Sequence, residues 1–300
     1  MTDRLDVRDA VLEYHVPGRP TVRAVDGVSL TVGAGEVVGL VGESGCGKSS
    51  LGRAIVGLHR LTSGSVSLDG RELPPLGRRA RPRADRVVQM IFQDPYSSLN
   101  PRRSIQRQLA EAIVAGGRTS SRELIDDLLA TVDMPASSAT RYPHQFSGGQ
   151  RQRIAIARAL AVQPRLVVAD EPVSALDAST RAQVSQLIST TATAGGAGVL
   201  MISHDLSGLR MIADRIAVMY FGRIVELGPT DAVWGSPAHP YTRTLMGAIP
   251  RLGRTATLPD ASPSERITSR REDPEGAELV DLGGGHLVAA EALRDTGVAR

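Results

Sequence analysis

Short apolar segments bounded by glycine or by turn residues recur along the chain. They read EVVGLVG at residues 36–42, RLVVADEP at residues 165–172 and GVLMIS at residues 198–203. Runs of this length that are rich in β-branched residues predict strands buried on both faces, as in a parallel sheet. None of the apolar runs approaches the roughly 18–20 residues that a membrane-spanning helix needs.

Two other patterns complete the predicted elements. Apolar residues three and four apart predict helices in SSLGRAIVGL, which follows residue 48, and in SIQRQLAEAIVA and SRELIDDLLATV, which lie between residues 95 and 164. Alternating apolar and polar residues in VRAVDGVSLTV and SGSVSLDG predict strands of an antiparallel portion near the N-terminus.

These elements predict an α/β fold with one large domain over residues 1–250. Its core, residues 1–94 and 165–250, combines mostly parallel strands flanked by helices with an antiparallel β portion. Residues 95–164 form an inserted helical subdomain. Proline, serine, glycine and charged residues dominate much of the C-terminal extension, residues 251–300, so we expect it to be partly disordered. Within it, HLVAAEAL predicts a short strand or helix.

Composition narrows the class of protein. The 300 residues are 41% hydrophobic and 22% charged, as in an ordinary globular protein. The net charge is only +3, and the arginines are scattered apart from a cluster at residues 77–86, so we expect no nucleic acid partner. The single cysteine, Cys46, excludes an intramolecular disulfide or a cysteine-based metal site. Acidic residues near the N-terminus, without an apolar signal segment, predict a cytoplasmic protein.

Lys48 is the only lysine among 35 lysine and arginine residues. It lies in Gly42-x-x-x-x-Gly47-Lys48-Ser49, between a predicted strand and a predicted helix, which is a complete Walker A phosphate loop. A compact ammonium fits among phosphate oxygens where a guanidinium is too broad. The sequence therefore predicts a nucleotide site at this loop.

The loop predicts how the nucleotide is held. Glycines let backbone N–H groups turn inward, and the helix N-terminus adds its positive end. We expect Lys48 to contact the β- and γ-phosphates of ATP and the Ser49 hydroxyl to bind Mg²⁺. The nucleotide-binding candidates in this segment are Gly42, Glu43, Ser44, Gly45, Cys46, Gly47, Lys48, Ser49 and Ser50.

Two adjacent carboxylates end the predicted strand RLVVAD. Asp170 is placed to hold Mg²⁺, directly or through water, as a Walker B aspartate does. Strand alternation points Glu171 to a different side of the cleft, where it can accept a proton from the attacking water. We therefore predict Asp170 as a metal ligand and Glu171 as a catalytic base.

A second anion-binding helix start occurs in FSGGQRQRIAIARAL. A serine and two glycines open a predicted helix, and such a helix N-terminus binds anions. One nucleotide does not need two phosphate-binding loops from the same chain. The economical explanation is a head-to-tail pair, in which each subunit caps the nucleotide of its partner with Ser147, Gly148, Gly149 and Gln150.

Taken in order, these segments resemble the ATP-binding cassette (ABC) ATPases, with FSGGQ similar to their LSGGQ signature. The resemblance implies a P-loop NTPase cassette with a RecA-like core and an Mg-dependent ATPase activity. Gln93 in IFQDP resembles the Q-loop glutamine, a Mg²⁺ ligand and γ-phosphate sensor, and residues 174–177 (SALD) resemble the D-loop. His204 in MISHD resembles the catalytic switch histidine, and Tyr14 lies about where the family places an aromatic that stacks on adenine.

The resemblance is closest to the oligopeptide/dipeptide importer ATPases, and among these to the F-type subunit. It covers about Tyr14 to Leu252 and includes HPYTRTL, which general ABC ATPases lack. It implies a peripheral protein on the cytoplasmic face of the cell membrane. The implied partners are two transmembrane permease subunits, a second ABC ATPase subunit in a heterodimer or a homodimer, and an extracytoplasmic solute-binding protein.

Other functions stay open at this point. One alternative is an ATPase that powers a related permease for nickel or another small solute, or one that exports a peptide. Another is a soluble ABC ATPase that acts in translation or DNA repair. The soluble ATPases have two cassettes in one chain or a long coiled-coil insertion, and this chain has neither.

One feature departs from the family pattern. Many relatives carry a cysteine-rich C-terminal segment thought to hold an iron–sulfur cluster, whereas this chain has no cysteine after Cys46.

Cys46 itself lies near a predicted helix N-terminus and two residues before Lys48, and these conditions favour a thiolate. The alternative is that Cys46 is a small buried filler.

Overall fold

The computed structural model describes residues 3–15, 17–77, 82, 85–94, 98–173, 178–248 and 278–294. Three segments from the sequence analysis fall wholly or partly outside these ranges. They are the D-loop-like residues 174–177, most of the arginine cluster at residues 77–86, and residues 251–277 and 295–300 of the C-terminal extension.

An eight-stranded sheet forms the centre of the fold. Its strands, in spatial order, are β11 (Leu279–Asp281), β12 (Leu287–Ala289), β10 (Arg223–Pro229), β9 (Arg215–Tyr220), β3 (Val37–Val41), β8 (Gly198–Ser203), β7 (Leu166–Asp170) and β6 (Val88–Ile91). The five strands from β9 to β6 are parallel, and β10, β12 and β11 extend the sheet in antiparallel pairs. The carboxyl ends of β3, β7 and β8 therefore meet at one edge, where ligands bind in open α/β sheets.

A second sheet carries the predicted antiparallel portion. Its strands, in spatial order, are β2 (Val22–Gly33), β1 (Asp3–Tyr14), β4 (Ser63–Leu68) and β5 (Arg71–Glu72), and all neighbours are antiparallel. The predicted α/β fold, with a mostly parallel sheet and an antiparallel portion, is confirmed.

Both faces of the central strands β3, β7 and β8 of the eight-stranded sheet are buried. On β8, Val199 and Met201 pack into a core with the helices of one face. Leu200 and Ile202 point the other way, into a core with the four-stranded sheet and α1 (Lys48–Ile55). Successive side chains of a strand point to opposite faces, so a strand buried on both faces reads as a continuous apolar run. This explains why GVLMIS was recognisable as a strand.

A helical layer over residues 98–164 packs beside the sheet, which it contacts mainly through its last helix. It consists of α2 (Ile105–Ala115), α3 (Arg122–Thr131) and α4 (Gly148–Leu160), with 3-10 helices at Ala136–Thr140 and Pro143–Gln145. The Ser104 and Ser121 hydroxyls cap α2 and α3 by accepting backbone N–H groups of the first turn. The helical spacing of apolar residues predicted both helices, and the serine caps fix where each one begins.

The other helices connect or follow strands of the large sheet. They are α5 (Ala178–Ala194), α6 (Leu206–Arg210), α7 (Thr230–Gly235), α8 (Pro240–Gly247) and α9 (Ala290–Arg294). Within the described ranges, no helix is both long and apolar enough to cross a membrane.

The described part of the C-terminal extension, residues 278–294, is a hairpin followed by a short helix. β12 pairs with β10, with Val288 opposite Glu226, and so adds two strands to the edge of the large sheet. Val288, Ala289 and Ala292 are buried. These residues contain the HLVAAEAL segment, which supplies both a strand and a helix.

The packing of α2 predicts a large difference between two of its residues. Leu109 is fully buried, whereas Val114 is 59% exposed. Leu109→Ala is expected to lower the free energy of unfolding by about 2–5 kcal/mol, because it removes buried methyl groups and leaves a cavity. Val114→Ala is expected to change it by no more than about 0.5 kcal/mol. Urea denaturation followed by circular dichroism measures both, and equal losses would contradict this packing of the helical layer.

Candidate functional site

The phosphate loop leads from the end of β3 to α1 and passes close to two other strands. Gly42 and Gly47 have φ angles of 153° and 112°. A Cβ on Gly42 would lie 2.2 Å from the carbonyl oxygen of Met219 on β9, and one on Gly47 would lie 2.1 Å from that of Ala24 on β2. Only glycine satisfies both the backbone angle and the close approach at these positions.

Lys48 lies inside this loop rather than in solvent. Its side chain is buried, and the ammonium donates to the carbonyl oxygens of Gly42 at 2.7 Å and Glu43 at 2.8 Å. It also begins α1, and no side chain among the described residues caps that helix. The ammonium and the uncapped N–H groups of the first turn thus supply positive charge and donors at one place, as an anion site requires.

Ser49 and Asp170 are brought together from distant parts of the chain. The Ser49 hydroxyl at the start of α1 donates to Asp170 Oδ1 at the end of β7, at 2.8 Å. Burial raises the pKa of the Asp170 carboxyl above its ordinary value, although the hydrogen bond from Ser49 acts in the opposite direction. A buried carboxylate that accepts a hydrogen bond from a hydroxyl gains from a cation beside it.

This pair fits Mg²⁺ in particular. Among the described residues, no cluster of three or more histidine, cysteine, aspartate or glutamate side chains can hold a metal by itself. Mg²⁺ is commonly bound through one or two protein oxygens plus substrate phosphates and water, so two oxygens next to a phosphate loop are an appropriate donor set.

Glu171 lies between two other predicted catalytic residues. Gln93 Nε2 donates to Glu171 Oε2 at 3.1 Å, and His204 Nδ1 lies 3.4 Å from Glu171 Oε1. Gln93 follows β6 and His204 follows β8, the two neighbours of β7 in the sheet. The carboxyl ends of three adjacent strands therefore bring the three side chains together.

The direction of the Glu171 side chain has a different cause from the one expected. β7 ends at Asp170, and Glu171 has a φ angle of 45°, in the left-handed region that is uncommon for residues other than glycine. Its N–H donates to the carbonyl oxygen of Ile202 on β8 at 3.0 Å. A turn of the backbone, rather than strand alternation, thus sets where the carboxylate points.

The signature-like segment begins α4 at the surface. The Ser147 hydroxyl accepts the N–H of Gln150, and the Gln150 side chain accepts the N–H of Ser147, which makes a capping box. Ser147 and Gln150 are exposed, and Gly148 and Gly149 are partly exposed. The segment is accessible to another molecule.

Tyr14 lies beside the start of α1. Its hydroxyl is 3.1 Å from the Ser50 hydroxyl, and its ring meets His59 edge-on, with the ring centroids 5.7 Å apart. The half-buried ring is thus held next to the phosphate loop by two contacts.

The burial of Cys46 disfavours the hypothesis of a reactive thiolate. Cys46 is only 8% exposed, and burial raises the pKa of its thiol above the ordinary value despite the nearby Lys48 charge, which lowers it. Desolvation disfavours the thiolate more than the helix start and the ammonium favour it. The alternative, a small buried side chain, describes Cys46.

One residue at the loop was missed by the sequence reasoning. The Tyr241 hydroxyl on α8 accepts the N–H of Glu43 at 2.9 Å. Tyr241 belongs to the HPYTRTL segment, which was recognised as distinctive but given no role. The distinctive HPYTRTL segment was the signal that the sequence offered, but only the folded structure shows that it contacts the phosphate loop.

Two family models match the chain. The model described as "ABC transporter" matches residues 25–174, and the model described as "Oligopeptide/dipeptide transporter, C-terminal region" matches residues 225–277. The second match includes α8 and its Tyr241.

Curated relatives match over most of their length. "Oligopeptide transport ATP-binding protein OppF" of Bacillus subtilis (strain 168) is 44% identical over 288 residues, which cover 94% of this chain and 92% of that protein. "Di/tripeptide transport ATP-binding protein DppF" of Pseudomonas aeruginosa (strain UCBPP-PA14) is 42% identical over 280 residues, which cover 91% of this chain and 87% of that protein.

A solved structure shares the fold. It is described as the dimeric structure of a post-hydrolysis state of the ATP-binding cassette MJ0796 bound to ADP and Pi. The TM-score is 0.66 at 27% identity, over 75% of this chain and 98% of that one. The predicted ABC cassette fold is confirmed.

The raised pKa of Asp170 predicts a pH-dependent cost to stability. Because the pKa is higher in the folded than in the unfolded chain, ionised Asp170 destabilises the nucleotide-free fold at neutral pH. The cost disappears as the pH falls to the ordinary aspartate value of about 4. Asp170→Asn is therefore expected to raise the melting temperature at pH 7 and to raise it less at pH 5. Thermal unfolding measures this difference, with exposed Asp127→Asn as the control. A lower melting temperature for Asp170→Asn at pH 7 would contradict the prediction.

Proposed function

The chain belongs to the ABC transporter family of ATPases, in its oligopeptide/dipeptide branch, and on that premise we propose that it powers a membrane importer of oligopeptides or dipeptides. The match of residues 225–277 to the oligopeptide/dipeptide C-terminal region carries the choice of cargo class, because this region lies outside the general cassette match. The names of the relatives OppF and DppF support the same class.

We propose that the phosphate loop holds the β- and γ-phosphates of ATP. Lys48 keeps the Gly42 carbonyl as a partner and exchanges that of Glu43 for phosphate oxygens, and the N–H groups at the start of α1 donate to the same phosphates. The Tyr14 ring, beside Ser50, stacks on the adenine. Ser49 and Asp170, with Gln93, hold Mg²⁺, which when bound neutralises charge on the phosphates.

Glu171 is proposed as the general base. Its carboxylate takes a proton from a water molecule while the water oxygen bonds to the γ-phosphorus and the oxygen bridging to the β-phosphate leaves with ADP. Gln93 and His204 lie against different oxygens of this carboxylate and hold it in one orientation. His204, which is 54% exposed, also contacts the γ-phosphate.

The working unit is proposed to be a head-to-tail pair of cassettes. The helix start at Ser147–Gln150 is exposed and offers N–H donors. The nucleotide of the same chain already receives such donors from the phosphate loop, so this second set is available to the nucleotide of another chain. In the pair, this segment closes over the nucleotide bound by the partner and excludes water. The similar cassette described as dimeric with ADP and Pi supports this arrangement. The partner is a second ABC ATPase subunit.

The permeases are proposed to dock next to Gln93. A groove of about 440 Å³ lies between the sheet and the helical layer, and its lining includes Phe92, which precedes Gln93, together with Leu58 and Leu76. Leu58 and Leu76 are 46% and 45% exposed, which leaves an apolar surface for a segment of a permease. The chain thereby lies peripherally on the cytoplasmic face of the membrane, with two permease subunits and an extracytoplasmic solute-binding protein completing the importer.

Replacing the proposed base tests the chemistry. Glu171→Gln keeps the side-chain size but cannot take a proton, so ATP turnover is expected to fall by about 10²–10⁴-fold while ATP still binds. Phosphate release and fluorescent-nucleotide binding measure the two properties. Exposed Glu72→Gln on β5 is the control and should hydrolyse like the wild type. Wild-type turnover in Glu171→Gln would remove Glu171 from the mechanism.

Native purification from the membranes of the source cell tests the partners. The proposal expects two permeases, a second ATPase and a membrane-anchored binding protein in the mass spectrum of co-purifying chains. The binding protein would then identify the cargo, and a nickel-binding one would replace the peptide assignment. Permeases without a binding protein would indicate export, and ribosomes or DNA would overturn the transporter proposal.

A further inference from the structure

The Gly42–Glu43 peptide group connects the phosphate loop to α8. Its N–H donates to the Tyr241 hydroxyl at 2.9 Å, and its carbonyl oxygen accepts from the Lys48 ammonium at 2.7 Å. In a trans peptide the N–H and C=O point in opposite directions. The hydroxyl that holds the N–H therefore also fixes the direction in which the carbonyl faces Lys48.

Tyr241 is itself held firmly. It is 9% exposed, and its ring packs on Tyr220 of β9 with centroids 4.1 Å apart. Its backbone N–H donates to His239 Nδ1, which caps the start of α8. A hydroxyl on a fixed ring at a capped helix start has little freedom to leave the loop.

A fully buried carboxylate holds the start of α8. Glu226 on β10 is 0% exposed and accepts the backbone N–H groups of Ala238 at 2.8 Å and His239 at 2.9 Å. It also lies 2.7 Å from His286 Nε2. Three donors around one buried carboxylate make a compact polar centre, and loss of any one of them is costly because water cannot replace it.

The C-terminal hairpin completes this centre. His286 comes directly before β12, the strand that pairs with β10 at Glu226. Glu291 on α9 lies 3.5 Å from His239 Nε2. Residues 278–294 thus contact both the carboxylate and the histidine that set the position of α8.

We propose that Tyr241 is a positioning residue of the phosphate loop, and that Glu226 couples it to the C-terminal hairpin. The hydroxyl holds the Gly42–Glu43 peptide group, and through it Lys48, in the orientation that receives the phosphates. The C-terminal segment of this branch of the family thereby contributes to nucleotide affinity without touching the nucleotide. This inference rests on the proposed role of the loop in nucleotide binding.

Tyr241→Phe removes the hydroxyl and keeps the packed ring. Hydrogen exchange at the Glu43 amide is expected to become faster, because its acceptor is gone, and the Kd for Mg-ADP is expected to rise about five- to tenfold. Thermal unfolding should be nearly unchanged. Exchange is followed by mass spectrometry of peptides spanning residues 40–46, and the Kd by titration with a fluorescent ADP on the full chain.

Thr244→Val is the matched control. It removes an exposed hydroxyl from the same helix, and that hydroxyl donates to the Pro240 carbonyl of its own helix. It should leave both loop exchange and ADP affinity at the wild-type values. Wild-type exchange and affinity in Tyr241→Phe would overturn the inference. If the wild-type chain binds no ADP, the proposed function fails, whereas loop exchange still decides the role of Tyr241.

His286→Leu tests the link to the hairpin. It removes the side-chain donor to Glu226 while β10 and β12 keep their backbone pairing. Exchange at residues 40–46 is expected to rise, by less than in Tyr241→Phe. Faster exchange confined to residues 278–294, with the loop unaffected, would overturn the coupling through Glu226.

Discussion

The shape of the phosphate loop depends on a close backbone approach at two of its glycines, Gly42 and Gly47. Carbonyl oxygens of Met219 on β9 and Ala24 on β2 occupy the places that a Cβ on Gly42 or Gly47 would need. β9 belongs to the large sheet and β2 to the small one, so the loop is shaped where the two sheets meet. The small sheet is therefore part of the nucleotide site, even though few of its side chains carry chemistry.

Several features around this loop oppose stability and are held by the packing beneath them. Asp170 is a buried carboxylate, Lys48 is a buried ammonium, and Glu171 has a left-handed backbone. Desolvation and backbone strain of this kind persist at functional sites only where the surroundings determine the conformation. Here the surroundings are β3, β7 and β8, whose apolar side chains are buried on both faces of the sheet.

The C-terminal part of the chain is integrated with the nucleotide site in two ways. β12 adds to the sheet next to β10, and α8 reaches the loop through Tyr241. Glu226 lies between these two contacts and joins them. The segment that distinguishes this branch of the family is thus built into the cassette, and residues 278–294 are a structural element with contacts of their own.

Local patterns in the sequence were enough to predict β3, β7 and β8, the helices α1 to α4 and the motif residues, because hydrophobic period and glycine spacing are local properties. Residue type and position led to the expectation that Ser49 and Asp170 share one Mg²⁺, and the resemblance to ABC ATPases added Gln93 and His204 to the same site. In the folded chain the parallel strands bring these residues together, because their carboxyl ends lie at one edge. Tertiary structure alone decided the contact between Glu43 and Tyr241, which are 198 positions apart, and the pairing of Glu226 with His286. It likewise decided the state of Cys46, whose thiol follows its burial more than its place in the motif. Burial and long-range contacts depend on which distant segments pack together, and no local pattern records that.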